Sequence, residues 1–130
     1  MAELTDRQRE LRENFIEERG YWNEFWDGLL VLDIEFFEAY LQFSSVPWKN
    51  GTLEPKMKEL IYIAIDASTT HLYEPGLRQH IRNAIKYGAT RQEVMEVLEL
   101  VSVLGIHACT MGTPILLEEF AAAEAGTTPS

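Results

Sequence analysis

Apolar residues recur at helical spacing along most of this chain. In residues 22–30 they fall at i, i+3, i+4, i+7 and i+8, which is one face of an amphipathic helix (Trp22, Phe25, Trp26, Leu29 and Leu30). The segment before it, residues 5–19, is highly charged and carries only a thin apolar stripe, as expected of an arm that packs across a larger body. The isoleucine-rich residues 60–65 do not alternate between apolar and polar, which disfavours a strand. The pattern predicts an all-α fold.

Residues at the expected helix ends support this interpretation in the first half of the chain. Asp33 is suited to cap the helix that follows it, because its carboxylate can accept a hydrogen bond from a first-turn N–H. We expect that helix to end within residues 44–55, SSVPWKNGTLEP, where two prolines and an Asn-Gly pair interrupt the pattern. Pro55 then suits the first turn of a new helix, where its missing N–H costs nothing.

The second half gives equally clear helix signals. The helix after the prolines is apolar on nearly all sides beyond Glu59, which predicts a central, buried element. Pro75 is expected to open the following helix and Gly88 to close it, since glycine favours the position just past a helix C-terminus. Thr90 and Glu93 have the spacing of a capping box for the helix after that.

Residues 100–117 contain no Asp, Glu, Lys or Arg, so this segment just reaches the length of a membrane-spanning helix. It also contains His107, two glycines and Pro114, and it continues out of an amphipathic helix, so we expect it to be protein interior. We expect Gly112 and Pro114 to break or kink the helix before a last one begins. Because so small a domain cannot surround such a helix alone, we expect another subunit to seal it, and hence a homo-oligomer.

The chain has no internal repeat, low-complexity tract or flexible linker that would divide it into separate domains. We therefore expect a single structural domain with three parts. Residues 1–52 form an N-terminal helical arm and aromatic helices, residues 53–125 form the core, and residues 126–130 form a frayed tail.

The net charge of −10 argues against a nucleic-acid or membrane-surface partner, because both are polyanionic. The one cysteine, Cys109, rules out an intramolecular disulfide and fits a reducing compartment. The charged N-terminus lacks the apolar segment of a secretory signal, so we expect a cytoplasmic protein. Nothing near Cys109 in sequence would lower its pKa, so a small buried hydrophobe is favoured over a nucleophile.

Candidate chemistry is concentrated around the start of the helix that Pro75 opens. His71, Glu74 and His80 have the spacing H-x2-E-x5-H, which crosses a Pro-Gly break and matches no common metal site, so no metal is expected. His80 lies at the edge of the apolar face and is expected to point inward. His107 is either a core histidine or a functional one. Asp66 is either hydrogen-bonded at its helix end or a buried carboxylate.

Residues 80–114, HIRNAIKYGATRQEVMEVLELVSVLGIHACTMGTP, resemble the carboxymuconolactone decarboxylase family. That family shows H-x3-A-x3-G-x-T-x2-E-[IV]-x-E-[VL], followed later by G-x-P. The matching positions here are His80, Ala84, Gly88, Thr90, Glu93, Val94, Glu96, Val97, Gly112 and Pro114. The preceding ELIYIAIDAS is similar to the family's buried helix, and the resemblance covers roughly residues 53–122.

The resemblance implies an AhpD-like helical domain of about six helices that assembles as a trimer or hexamer. It implies cofactor-free decarboxylation, or related acid–base chemistry, on a small carboxylated lactone-type compound. The family's other branch is a dithiol peroxidase with the motif E-x11-C-x2-C-x3-H, and this chain has no cysteine at those positions. Two alternatives stay open: a peroxidase-type oxidoreductase that uses Cys109, and a small-ligand-binding oligomer without turnover.

The resemblance also implies roles for particular residues. His80 would be the general acid and base, since a histidine pKa lies near the operating pH. Glu74 or Glu59 would orient it or relay its proton. His107 would stabilise negative charge, and with His71, Tyr73 and Cys109 it completes the expected substrate-binding set. No cofactor is expected.

Overall fold

The structure is a computed structural model that describes residues 3–126, so residues 127–130 of the expected tail lie outside the described part. Seven α-helices and one 3-10 turn are present in residues 3–126, and no strand is. The predicted all-α fold is therefore confirmed. The chain divides into two compact units, Met1–Thr52 and Leu53–Ser130.

The first unit consists of α1 (Asp6–Arg19), α2 (Phe25–Leu32) and α3 (Ile34–Asn50). Its core is aromatic: Phe15 and Phe37 are almost fully buried, and Trp22 and Trp26 pack against them. The ring of Phe15 meets that of Trp22 edge to face, with 5.4 Å between centroids. Rings at this distance and angle align their quadrupoles favourably, so they add to the stabilisation from buried area.

One helix boundary in this unit differs from expectation, and another agrees with it. Helix α2 begins at Phe25, so Trp22 packs from the connecting segment and not from a helix face. Helix α3 is capped by Asp33 as predicted, but it runs on through Pro47 to Asn50. Its end at Asn50 lies within the expected stretch 44–55. The helix continues past Pro47 because proline removes only one intrahelical hydrogen bond, and side-chain contacts tie this stretch down. Arg19 donates to the carbonyl of Ser44 at 3.1 Å.

The second unit consists of α4 (Pro55–Asp66), α5 (Glu74–Lys86), α6 (Arg91–Ser102), the 3-10 turn Val103–Gly105 and α7 (His107–Glu124). Pro55 opens α4, Gly88 has a positive φ of 86° just past α5, and the predicted capping box of α6 is present. Helix α4 packs mainly on α5 and partly on α6. Ile63 and Ala84 are fully buried at the centre of this contact.

Helix α4 buries one face only. Ile61 and Ile65 are about half exposed, so the prediction that α4 is buried on nearly all sides was wrong for a single chain. Helix α7 has no buried residue, and it passes without interruption through Gly112 and Pro114. The break falls instead at Val103–Gly105. The expected interior segment is thus exposed in one copy of the chain.

The stretch Arg91–Glu124 is long and apolar enough to cross a membrane by length and composition alone, and none of its most apolar window is buried in the chain. One such segment is weak evidence for a membrane span, because the core helix of a globular protein passes the same test. An apolar surface of this extent is typical of sites that bind another protein or a membrane.

Glu18 ties α1 to α3 and gives the first unit a pH-dependent stability. Partial burial opposes ionisation of Glu18, but hydrogen bonds from Lys49 and Ser45 outweigh it and hold the pKa of Glu18 below its ordinary value. A carboxyl group with a lowered pKa in the folded state stabilises that state above its unfolded pKa. This contribution is lost as the pH falls through the folded pKa.

We therefore expect Glu18→Gln to lower the free energy of unfolding at pH 7 by up to about 1 kcal/mol. The difference from wild type should shrink as the pH falls from 7 through the lowered folded-state pKa, because the wild-type carboxyl group then also becomes neutral. Urea denaturation over a series of pH values measures this. The exposed neighbour Glu17→Gln is the matched control, and an equal loss in both variants would contradict the prediction.

Candidate active site

A buried contact between a carboxylate and an imidazole joins α4 to α5. Glu59 Oε2 lies 2.6 Å from His80 Nδ1, and both residues are at least nine-tenths buried. Each side chain projects from the packed face of its helix, because Glu59 precedes Ile63 by one turn and His80 precedes Ala84 by one turn. The sequence thus places two ionisable groups in the apolar contact between these helices.

Neighbouring side chains orient this pair. Asn83 Nδ2 donates to Glu59 Oε1 at 3.3 Å, and Gln79 Nε2 donates to Asn83 Oδ1 at 3.0 Å. The ring of Tyr62 stacks on that of His80, with 4.5 Å between centroids and 14° between planes. Since Glu59 Oε1 already accepts from an amide, its other oxygen is suited to accept from His80 Nδ1–H. This assigns Nε2 as the nitrogen that exchanges protons.

Asp66, at the C-terminal end of α4, is the second buried carboxylate of the site. Its Oδ2 lies 3.7 Å from His80 Nε2, and its Oδ1 lies 3.2 Å from His71 Nε2. Of the two interpretations left open by the sequence, the structure shows the buried carboxylate, which faces two histidines. The signal for a role of Asp66 was present in the sequence, as an acid inside an apolar run, but its partners lie 5 and 14 positions further along the chain.

Gly76 allows α5 to approach Asp66 closely. A Cβ atom at this position would lie 2.2 Å from Asp66 Oδ2 and 2.7 Å from Tyr73 Cδ1. The backbone N–H of Tyr73 also donates to the carbonyl of Asp66 at 2.8 Å. The Pro-Gly pair at the start of α5 therefore does more than begin a helix, because its glycine leaves room for the carboxylate.

The structure brings together only some of the residues predicted from the sequence. Glu59 contacts His80 directly, and His71 joins them through Asp66. The ring of Tyr73 lies beside that of His71, with 5.7 Å between centroids. Glu74, by contrast, is exposed and forms an ion pair with Arg78, so Glu59 is the carboxylate at the imidazole.

The two predicted residues of α7 lie on an exposed helix. His107 is exposed, with its ring nitrogen Nδ1 3.2 Å from the hydroxyl of Thr110. Of the two interpretations left open for it, a core histidine is therefore wrong for the single chain. Cys109 is a free, exposed thiol, and the prediction that it is buried was also wrong. Both results have one cause, since no residue of α7 is buried.

Within residues 3–126, no group of three or more His, Cys, Asp or Glu side chains is placed to hold a metal ion. A large open groove, of about 770 Å³, lies between α4 and α6. Its lining is mostly apolar and includes Met57, Leu60, Ile61, Val97, Leu100 and Val101. The groove does not include His80. Two glutamates, Glu93 and Glu96, also line the groove, but no histidine among residues 3–126 does, and Glu93 is already bonded to Lys56 and Thr90. The buried histidine is therefore the better candidate for proton transfer.

Comparisons with known proteins agree on one family. Residues 35–125 match the model of the carboxymuconolactone decarboxylase family. A crystal structure from Burkholderia xenovorans LB400, of a candidate gamma-carboxymuconolactone decarboxylase subunit, superposes with a TM-score of 0.89 at 53% sequence identity. The match covers 94% of the present chain and 49% of that protein, so the chain spans about half the length of this relative. No curated protein matches the chain.

The close approach at Gly76 predicts a specific loss of stability. We expect Gly76→Ala to lower the free energy of unfolding by about 1–3 kcal/mol, because the new methyl group must displace the Asp66 carboxylate or the start of α5. Urea denaturation measures the change. Gly28→Ala is the matched control, since a Cβ there meets nothing within 4 Å in α2 and should be neutral or slightly stabilising. Equal stability of the two variants would contradict the prediction.

Proposed function

Since this chain belongs to the carboxymuconolactone decarboxylase family, we propose that it catalyses cofactor-free decarboxylation, or related acid–base chemistry, on a small carboxylated lactone-type compound. The observation that carries the proposal is the buried contact between Glu59 and His80. The relative from Burkholderia, named a candidate gamma-carboxymuconolactone decarboxylase subunit, supports the same reaction class. Because the chain spans half of that protein, activity, substrate and assembly are all part of the proposal.

In the proposed reaction the carbon–carbon bond to the carboxylate breaks and CO2 leaves. The electron pair of that bond moves into the ring as an enolate, and a proton from His80 Nε2 quenches the developing charge at carbon. Glu59 holds Nδ1–H, which keeps the ring in the required tautomer and stabilises the imidazolium form. Each turnover consumes one proton, because a carboxylate is replaced by a C–H bond. His80 must therefore be reprotonated before the next substrate binds.

The substrate pocket is proposed to be completed by a second copy of the chain. His80 is buried, and the large groove between α4 and α6 does not include it. Large apolar side chains nevertheless cover the surface of α6 and α7: Leu100, Met111, Leu117 and Phe120 are each more than 60% exposed. A relative about twice as long as this chain is consistent with two such units functioning together. We accordingly propose a homo-oligomer, a trimer or a hexamer.

The other residues predicted for the site differ in whether they can reach a substrate bound near His80. His71 and Tyr73 lie at the entrance to α5, where they are positioned to contact substrate beside Asp66. His107 and Cys109 lie on α7, so they would reach a substrate only across the interface between two copies. Glu74 is assigned no part in proton transfer, because it pairs with Arg78.

The activity is tested with a panel of small carboxylated lactones. We expect His80→Asn to lower kcat by about 10²- to 10⁴-fold, the usual contribution of a general acid. Glu59→Gln should also lower kcat, because a neutral amide cannot stabilise the imidazolium. Arg82→Gln, an exposed change on the same helix, is the control and should retain full activity. Full activity of His80→Asn on a substrate that the wild type converts would overturn the assignment.

The assembly is tested by light scattering at micromolar concentration. We expect a mass of three or six times that of one chain for the wild type. Leu117→Glu should shift the mass toward a single chain, because it places a charge in the apolar surface of α7. Glu118→Gln, the neighbouring position, should leave the mass unchanged. A wild-type protein with the mass of one chain would refute the oligomer.

A further inference from the structure

Four neighbouring side chains form a polar path from the interior of the second unit to its surface. Glu59 contacts His80 Nδ1 at 2.6 Å, His80 Nε2 lies 3.7 Å from Asp66 Oδ2, and Asp66 Oδ1 lies 3.2 Å from His71 Nε2. The side chains of Glu59, His80 and Asp66 are at most 10% exposed, whereas that of His71 is 50% exposed. The path therefore has one buried end and one solvent-facing end.

Asp66, within the buried part of this path, is not needed to orient His80, because Glu59 already does so. Its presence needs another explanation. A buried carboxylate is costly unless it is paired, yet Asp66 lies at the end of an apolar helix where an aliphatic residue would pack without that cost. The fold also makes specific room for it, because Gly76 lacks the Cβ atom that would meet Asp66 Oδ2.

His71, at the exposed end of the path, is followed by a residue with an unusual backbone conformation. Leu72, which follows His71, has a positive φ of 43°, a conformation that is rare for a residue other than glycine. The N–H groups of His71 and Leu72 both donate to the carbonyl of Ser68 at 2.9 Å, and this turn directs the imidazole of His71 back to Asp66. Backbone strain of this kind persists where the surrounding structure requires a particular placement.

We propose that Asp66 and His71 form the route by which His80 regains a proton from solvent. The inference rests on the proposed function for its purpose, since that reaction consumes one proton per turnover at a buried imidazole. Asp66 and His71 act through His80 and are positioning and relay residues, not residues that touch the reacting atoms.

The transfer requires no redox partner and balances as follows. The Nε2–H bond of His71 breaks as an O–H bond forms at Asp66 Oδ1, and His71 takes a replacement proton from water at its exposed ring. A rotation of the carboxyl group then presents the proton to His80 Nε2, where an N–H bond forms and Asp66 returns to the carboxylate. The 3.7 Å separation exceeds a direct hydrogen bond by about half an ångström, so the rotation or one bridging water must close it.

The relay is tested by the rate at which the His80 ring exchanges its proton. Relaxation dispersion of its ¹³Cε1 nucleus, recorded at the pH where the ring is half protonated, reports this rate in wild type and variants. We expect Asp66→Asn and His71→Gln to slow the exchange by about tenfold or more. The glutamine keeps a hydrogen-bond donor for Asp66 but cannot relay a proton at neutral pH. Lys86→Gln, exposed on α5, is the control and should exchange at the wild-type rate.

A rescue experiment separates a relay from a structural role. In His71→Ala, added imidazole should restore both the exchange rate of His80 and kcat, because a free base can replace the missing ring. The same addition should leave Asp66→Asn slow. His71 is exposed, so its variants should fold normally, and they decide the matter if Asp66→Asn does not fold.

Wild-type exchange rates in both His71 variants would overturn the relay. Loss of turnover in His80→Asn alongside that result would leave the proposed function standing. Conversely, slow exchange in the variants of a protein that converts no compound in the panel would retain the relay and refute the proposed reaction.

Discussion

The contact between Glu59 and His80 is the interaction on which the second unit depends. Taking a carboxylate and an imidazole out of water costs several kcal/mol per ionised group unless each finds a partner, so α4 and α5 must hold one register. Ile63 and Ala84 fix that register by packing between the helices, and Asn83 satisfies the remaining oxygen of Glu59. Loss of either partner would leave the other buried and unpaired, which couples the integrity of the fold to that of the site.

The packing of α4 on α5 leaves an apolar surface on α6 and α7 exposed in a single chain. A single chain can cover one face of α4, and the other face opens into a groove shared with α6. The segment 100–117 has no charged residue that would favour contact with water, and no residue of α7 is buried. In the proposed oligomer, a second copy would remove this surface from water and would complete the proposed substrate pocket. Assembly and pocket formation are thus one step in the proposed mechanism.

Local signals determined several of the helix starts and some of the ends. Asp33, Pro55, Gly88 and the Thr90–Glu93 pair act through hydrogen bonds or backbone preferences within a few residues, so they need no tertiary contact. Helix α3 passes through Pro47, and the break expected at Gly112 and Pro114 is absent, for a complementary reason. One proline removes one hydrogen bond, and the cooperativity of a long helix sustains the rest when the flanking residues favour it.

The sequence by itself determined that this is an all-α protein, and it pointed to the start of α5 as the candidate site, because His80 falls on the inner edge of an amphipathic helix. Only the tertiary structure decided which acids serve that histidine. Glu74 is near in sequence, but the helix start turns it toward Arg78. Glu59 lies 21 positions away and Asp66 lies 14 away, and both reach His80 because α4 packs on α5 in one register. Helical periodicity sets the face on which a side chain lies, whereas its partner depends on how two helices pack together.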